Sequence, residues 1–455
     1  MKRGAVRAVD MLHGSIVKNL LLFALPLVGG NVLQLFYDAA DVNVLGQFAG
    51  KGALASVGVT ASAYHLVINV FLGLSTGAGV LVAQYFGGDR RKEVSQTVHT
   101  SAAVSLLIGV SVGALGFFLT PFLMNIIGTP ADIFDGAVLY LRILFIGIPA
   151  VVVFNFGAAI LRSVGDNRSP FVYLMISGIL NVLLNLLFVA VFRLDILGVA
   201  VATILSQYLS AALCWLRLLR THEYYYFSFR EMQINAPILG RMVKIGIPSG
   251  LQMAMYSISN LIIQAAVNEL GTDFVAATTA EGKIGDIVYV TMSAMVQAAM
   301  VFVGQCYGAG DIRRIHRLFW RSSGCIAAVT GLMTLVILPL SVPLLRIFNN
   351  DPEIIRLGCQ RMRVLLPFYF LCGLYENAIG IIRGMGYSLM PMIGSVLGVC
   401  VVRIVWVYTC FAAYPTFSML LYAYPAYWII AAVLETVLYF YYYHKESAAG
   451  QPSSV

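Results

Sequence analysis

The chain has 455 residues, of which 60% are apolar and only 11% are charged, and its mean hydropathy is +0.85. Soluble domains carry about a quarter of charged residues, so a soluble fold of this length is excluded and lipid must cover much of the surface. The net charge of +8 comes from basic loops. No interleaved basic and aromatic pattern indicates a nucleic-acid partner.

Apolar stretches of about twenty residues predict twelve membrane-spanning helices, six in each half of the chain. They lie at 16–37, 53–82, 95–120, 136–160, 170–192, 194–218, 240–268, 275–303, 318–346, 357–381, 389–412 and 417–443. The first stretch lacks a small-residue cleavage pattern, so we expect it to stay in the membrane as a helix. The predicted fold class is therefore an all-α integral membrane protein.

The two halves repeat one another. Residues 83–91 return as residues 304–314, and residues 161–165 return as residues 382–386. Gln84 and Gln305 are 221 residues apart, as are Arg162 and Arg383. Six helices per unit is an even number, so both units enter the membrane in the same direction. We expect two pseudo-symmetric six-helix bundles with the working site in a central cavity between them.

The predicted domains follow from this repeat: an N-terminal lobe at 1–218, an inter-lobe linker at 219–239, a C-terminal lobe at 240–445 and a disordered tail at 446–455. Basic residues collect at one end of the predicted helices, at the turns near Arg91, Arg162, Arg241, Arg314 and Lys445. The positive-inside rule then places both termini and the linker in the cytoplasm of a multi-pass protein in the cell (plasma or inner) membrane.

Several motifs in this order carry a resemblance to a known family. They are the duplicated Ala-Gln-Tyr-x-Gly loop at 83–87, the Arg-Ser-x-Gly-Asp-x-x-x-Pro loop at 162–170, and Asp41 followed by Val-Leu-Gly at 44–46 and by residues 53–58. From about Lys18 to about His444 the chain resembles the multidrug and toxic compound extrusion (MATE) family.

The resemblance implies a secondary active antiporter, not an enzyme. Such a protein expels small organic, often cationic, compounds in exchange for protons or sodium ions, and it needs no cofactor besides the coupling ion. We expect a monomer surrounded by the lipid bilayer. In one branch of the family the cation site lies in the N-terminal lobe, and its aspartate, asparagine and threonine are matched by Asp41, Asn181 and Thr203. The position that is usually a second aspartate is Asn185 here.

The first predicted helix carries a polar stripe that can be interpreted without the family. Asn31, Gln34, Asp38 and Asp41 are spaced by 3, 4 and 3 residues, which places them on one face. Charges within membrane spans are expensive and usually functional. Asp41 could therefore exchange a proton, a cation or a substrate as its surroundings change. The alternative is that Asp38 and Asp41 are simply solvated at a helix end.

Neutral oxygen donors on the next helices complete the predicted coupling site. Asn181 and Asn185 are four apart on the fifth helix, and Thr203 lies on the sixth. With Asp41 they form an oxygen set that could bind sodium, although asparagines that only bridge helices are common in membranes. A single titratable acid favours protons over sodium.

The second lobe supplies further candidates for the substrate path. Gln252, Tyr256, Asn260, Gln264 and Asn268 recur every four residues on the seventh helix and share one stripe. The eighth helix adds Glu281 and Asp286, where Asp286 could instead be neutralised by Lys283. The predicted path consists of Gln34, Tyr37, Asp38, Tyr256, Asn260, Gln264, Glu281, Asp286 and Glu376.

A lipid flippase and a membrane enzyme are the alternatives to an exporter. A lipid or oligosaccharide-lipid flippase of the same superfamily should place several basic residues inside the cavity to bind pyrophosphate, and only Lys283 and Arg403 are obvious candidates. A membrane enzyme would need a metal cluster or a paired acid and base in the spans. His65 and His99 are isolated, and no nucleotide-binding Walker motif is present.

Overall fold

A computed structural model of the chain describes residues 9–448. Within that range the side chains at 38, 42–43, 48–51, 54, 62–63, 65–66 and 70 lie outside the description. The predicted tail at 446–455 falls mostly beyond residue 448. The described residues are helical almost throughout and contain no strand, which confirms the predicted all-α class.

The helices have the following bounds. The first half contains α1 (Ile16–Val44), α2 (Gly50–Gly87), α3 (Arg91–Ile127), α4 (Ala131–Ser163), α5 (Arg168–Asn185) and α6 (Asp195–Arg220). The second half contains α7 (Ala236–Leu270), α8 (Thr272–Gly308), α9 (Ile312–Ile337), α10 (Ser341–Arg346), α11 (Pro352–Leu365), α12 (Tyr369–Gly384), α13 (Leu389–Ser395), α14 (Val402–Trp406) and α15 (Phe417–Ala448).

A π-helical turn at Leu45–Ala49 links α1 to α2. Similar π-helical turns follow α5 and flank α14, at Leu186–Val191, Val396–Val401 and Val407–Phe411.

Eleven helical segments among the described residues are long and apolar enough to cross a membrane. Each corresponds to one of the twelve predicted spans, and α11 with α12 makes one of them. The remaining predicted span is α7, which has 35 residues. Its glutamine and asparagine stripe lowers the hydropathy below that of the others, so α7 is long enough to span but is not strongly apolar.

The chain divides into two compact units. One contains Gly29–Gly250, and the other contains Asp10–Val28 together with the chain from Leu251 onward. Close helix packing in the first unit depends on small residues: a Cβ on Gly109 would lie 2.7 Å from the Pro149 backbone. In the second unit a Cβ on Gly373 would overlap the Ile326 side chain. Small residues allow such approach between helices in membranes.

Candidate functional site

Three of the four predicted coupling residues, Asp41, Asn181 and Asn185, lie where α1 contacts α5. Asn185 Nδ2 donates to Asp41 Oδ1 at 2.5 Å and to Asn181 Oδ1 at 3.3 Å. Asn181 and Asn185 are buried, and Asp41 is half-buried. The structure therefore places Asn185 within hydrogen-bonding reach of both the Asp41 carboxylate and the Asn181 amide.

One oxygen in this site is left free by the geometry. Because the amide nitrogen of Asn185 faces the Asp41 carboxylate, its Oδ1 points elsewhere, and that buried oxygen has no hydrogen-bond partner among the described residues. A buried polar atom without a partner is rare and calls for an explanation. An amide oxygen beside a carboxylate is a suitable ligand for a small cation or an acceptor for a donor group.

Tyr37 and Gly178 explain why α1 approaches α5 so closely. The Tyr37 ring occupies the space beside Gly178, where a Cβ would overlap a ring carbon. Tyr37 also donates its hydroxyl to the backbone oxygen of Met175 at 3.3 Å. Any side chain at position 178 would displace the ring, so glycine there fixes the register that brings Asn185 to Asp41.

Three other candidates of the first unit have different surroundings. Thr203 Oγ1 donates to Val199 O at 2.9 Å, within its own helix. Gln34 is exposed on α1. The Asp38 side chain lies outside the described residues.

The α7 stripe forms three separate hydrogen bonds in the second unit. Gln252 is buried and donates to the Tyr256 hydroxyl at 3.1 Å. Further along, Asn260 accepts from Arg403 Nη1 at 2.6 Å, and Gln264 donates to Asn268 at 2.9 Å. Asn260 and Gln264 are exposed. The stripe thus passes from a buried end at Gln252 to an accessible end at Asn268.

The acids of the second unit differ in their partners. Glu281 is buried and forms an ion pair with Arg361, which also donates to the Tyr424 hydroxyl at 3.3 Å. Asp286 and Lys283 are both exposed, and Lys283 acts on Asp286 only through a longer-range electrostatic interaction. The ion pair that was considered for Lys283 and Asp286 is thus found instead between Arg361 and Glu281.

Glu376 and Glu435 lie near the buried end of the stripe. Glu376 is half-buried and interacts electrostatically with Arg383, whose Nη2 donates to Gln252 Oε1 at 2.6 Å. Glu435 on α15 is fully buried and accepts from Ser395 at 3.1 Å, while its Oε2 has no partner among the described residues. Glu435 is not among the residues predicted from the sequence, although a lone acid inside an apolar span indicates a candidate functional residue.

The second unit also contains three arginines within its helix packing. They are Arg361, Arg383 and Arg403. Arg403 has no carboxylate within 4 Å among the described residues, and its guanidinium lies 4.1 Å from the centre of the Tyr427 ring, to whose hydroxyl it also donates. Among the side chains that the structure describes, no three histidine, cysteine or acidic residues gather into a metal-binding group.

Comparison with known proteins decides the family. The MatE family model matches residues 26–187 and 248–409. The chain belongs to the MATE family. The two matched segments have the same length, so the family pattern occurs once in each half of the internal repeat, and the resemblance drawn from the loop motifs is confirmed.

Relatives and solved structures agree with this assignment. A probable multidrug resistance protein of Bacillus subtilis, YpnP, is 30% identical over 403 residues, covering 88% of this chain and 89% of the relative. An FAD transporter of Shewanella oneidensis is 24% identical over 352 residues, covering 76% and 77%. An outward-facing multidrug resistance MATE transporter of the MOP superfamily aligns with a TM-score of 0.91 at 20% identity, covering 98% of this chain and all of the other. That likeness confirms the two-lobed MATE fold.

Proposed function

We propose that this MATE protein is a secondary active antiporter that exports organic compounds in exchange for a cation bound at Asp41. One observation carries the proposal: the half-buried Asp41 carboxylate is bonded by Asn185, whose own buried oxygen is left without a partner. An ionisable group inside the membrane is costly and is retained for function. The relatives' names support efflux of drugs as the biological role.

In this proposal Asp41 alternates between an ionised state and a state in which it holds a proton or a sodium ion. When ionised, the carboxylate accepts the Asn185 hydrogen bond at 2.5 Å. A proton or a sodium ion on the carboxylate competes with that bond and changes the contact between α1 and α5. Because this is the one acid of the proposed site, a proton can neutralise it completely, whereas a sodium site is usually richer in negative charge. We therefore propose protons as the coupling ion.

An anionic substrate is the second candidate, and Arg403 is the observation that favours it. This guanidinium is buried without an acidic partner, beside the exposed Asn260 of the α7 stripe. Arginine recognises carboxylates and phosphates, and one relative is an FAD transporter. The lipid flippase alternative needs several such residues, but Arg361 is neutralised by Glu281 and Arg383 is bonded to Gln252.

Transport in proteoliposomes tests these proposals. Proton and sodium gradients are imposed separately, and the export of a cationic dye and of FAD is measured. We expect the proton gradient to drive the cationic dye, with FAD moved poorly. Export of FAD that Arg403→Gln abolishes, with dye export retained, would instead establish the anionic substrate. Export driven by sodium at constant pH, with no response to a proton gradient, would contradict proton coupling.

A further inference from the structure

A polar pocket of about 500 Å³ opens beside the start of α3 in the first unit. It is lined by Lys92, Ser95, Gln96, His99, Arg230, Glu231, Met232 and Gln233. Lys92 and Arg230 are exposed and belong to the end of the spans where basic residues collect. The pocket therefore offers two cations and two neutral amides to a ligand.

His99 fixes the wall of this pocket. Its Nδ1 donates to Ser95 O at 2.7 Å, and its Nε2 accepts the backbone N–H of Ser228 at 3.1 Å. The His99 side chain is buried, with the Phe227 ring 5.7 Å away. The segment between α6 and α7, which carries Arg230, is thus anchored against α3 by a buried hydrogen bond.

A separate apolar groove of about 280 Å³ lies further along α3. It is lined by Ala102, Ser105, Leu106, Pro149, Ala150, Val153, Tyr208, Ala211, Ala212, Trp215, Phe227 and Phe229. Phe229 is 67% exposed, so an uncovered aromatic ring of the groove directly precedes Arg230 of the pocket in the chain. A large exposed aromatic at a membrane interface is typical of contact with lipid.

One face of α3 joins the two cavities. Lys92, Gln96 and His99 line the pocket, and Ala102 and Leu106 line the groove, at the three- and four-residue spacing of a single helical face. The run from Lys92 to Leu106 covers about 20 Å along the helix. A ligand that fills both cavities must have a polar, negatively charged head and an apolar tail.

We propose that this pocket and groove bind one anionic phospholipid, with its phosphate head between Lys92 and Arg230 and an acyl chain against Trp215. Arginine binds phosphate oxygens in a bidentate manner, and lysine adds a second positive charge. Gln96 and Gln233 supply donors for the hydroxyls of a glycerol headgroup. This site lies within the first unit and is independent of the proposed antiport.

Glu231 lowers the affinity of the site for an anion. It is the one acid on the pocket wall, and its carboxylate accepts the Tyr226 hydroxyl at 2.5 Å. That hydrogen bond raises the pKa of Tyr226, so the hydroxyl stays a donor to the carboxylate. With two cations and one acid the pocket retains a single positive charge, and removal of Glu231 should strengthen the binding of an anion.

Quenching of Trp215 fluorescence tests the proposal directly. The chain has four tryptophans, and Trp320, Trp406 and Trp428 are replaced by phenylalanine. The protein is reconstituted with phosphatidylglycerol or phosphatidylcholine that carries brominated acyl chains, which quench a tryptophan on contact. We expect phosphatidylglycerol to bind beside Trp215 more tightly than phosphatidylcholine. Removal of each cation should weaken that preference about fivefold.

Matched variants separate the site from general surface charge. Lys92→Gln with Arg230→Gln should abolish the preference for phosphatidylglycerol, and Glu231→Gln should increase it. Lys244→Gln, an exposed basic residue outside the pocket, should leave it unchanged. Ala212→Phe fills the groove and should weaken both lipids alike.

Three results would overturn the proposal: equal quenching by both lipids in the parent chain, a Lys244→Gln effect as large as that of the pocket pair, or displacement of the lipid by free glycerol phosphate, which would mean that phosphate alone is the ligand. If the triple tryptophan replacement does not fold, native mass spectrometry of the otherwise unchanged chain counts retained phosphatidylglycerol, and the same variants must alter that count.

Discussion

The contact between α1 and α5 in the first unit can be compared with that between α7 and α14 in the second. In the first, Asn185 donates to the Asp41 carboxylate at 2.5 Å. In the second, Arg403 donates to the Asn260 amide at 2.6 Å. Each pair joins the first helix of a repeat to its fifth, but one centre carries a negative charge and the other a positive charge. The corresponding helices are thus joined in each repeat, but by residues of different charge.

The difference in charge suits the two repeats to different functions. A carboxylate bonded to amides can accept a cation from water, because its neighbours are neutral. A guanidinium surrounded by Asn260, Ser259 and Tyr427 already provides its own charge and cannot bind a coupling cation. In our proposal the first unit therefore handles the ion, and the second unit faces the substrate with the accessible end of the α7 stripe.

The largest expected effect tests how the positive charges of the second unit are balanced. Glu281→Gln removes the acidic partner of buried Arg361. An uncompensated buried charge costs about 3–5 kcal/mol, so we expect a large loss of thermal stability in detergent, measured by scanning fluorimetry. The double change Glu281→Gln with Arg361→Gln should recover at least half of that loss.

Glu353→Gln serves as the control for this prediction. Glu353 forms an ion pair with Arg356, but both side chains are exposed. Exposed pairs contribute little because water and salt screen them, so melting should be unchanged. Equal losses from Glu281→Gln and Glu353→Gln would show that burial of the pair does not determine its importance.

An intermediate effect is expected from making the first site more acidic. Asn185→Asp places a second carboxylate against Asp41, and two carboxylates this close cannot both ionise without a cation between them. We expect transport to become dependent on sodium and its half-maximal pH to rise by about one unit. Export rates measured over a pH series, with and without sodium, check this. Unchanged curves would mean that Asn185 does not face the coupling group.

The smallest effect is expected at Thr203. Its hydroxyl bonds to Val199 O in its own helix, so the described geometry gives it no direct part in holding Asp41. Thr203→Val should leave proton-driven export near the rate of the parent chain and change stability by less than about 1 kcal/mol. A severe loss of export, with folding intact, would restore the threonine to the coupling site that the family resemblance implies.

Local spacing predicted much of this arrangement, and long-range pairing could not be predicted. The four-residue interval between Asn181 and Asn185 requires a shared helical face, and the first-helix stripe fixes the face of Asp41. The partner of Glu281 was different: Arg361 lies 80 residues away, and only tertiary packing brings the two together. The close approach of Tyr37 to Gly178 depends on how two helices cross, which the sequence pattern does not specify.

The miss of Glu435 has a local cause. Glu435 was overlooked because a single acid hardly changes the hydropathy of a long apolar helix. Its complete burial becomes evident only when α15 is packed against α13.

The most direct test of the central claim is gradient-driven export by Asp41→Asn in proteoliposomes. Asparagine keeps the size of the side chain but can neither bind a proton nor carry a charge. We predict that export falls to the level of empty liposomes under a proton gradient, while dye binding in detergent is retained and Asp132→Asn, an exposed acid-to-amide control, exports normally. Export by Asp41→Asn at the rate of the parent chain would contradict the account.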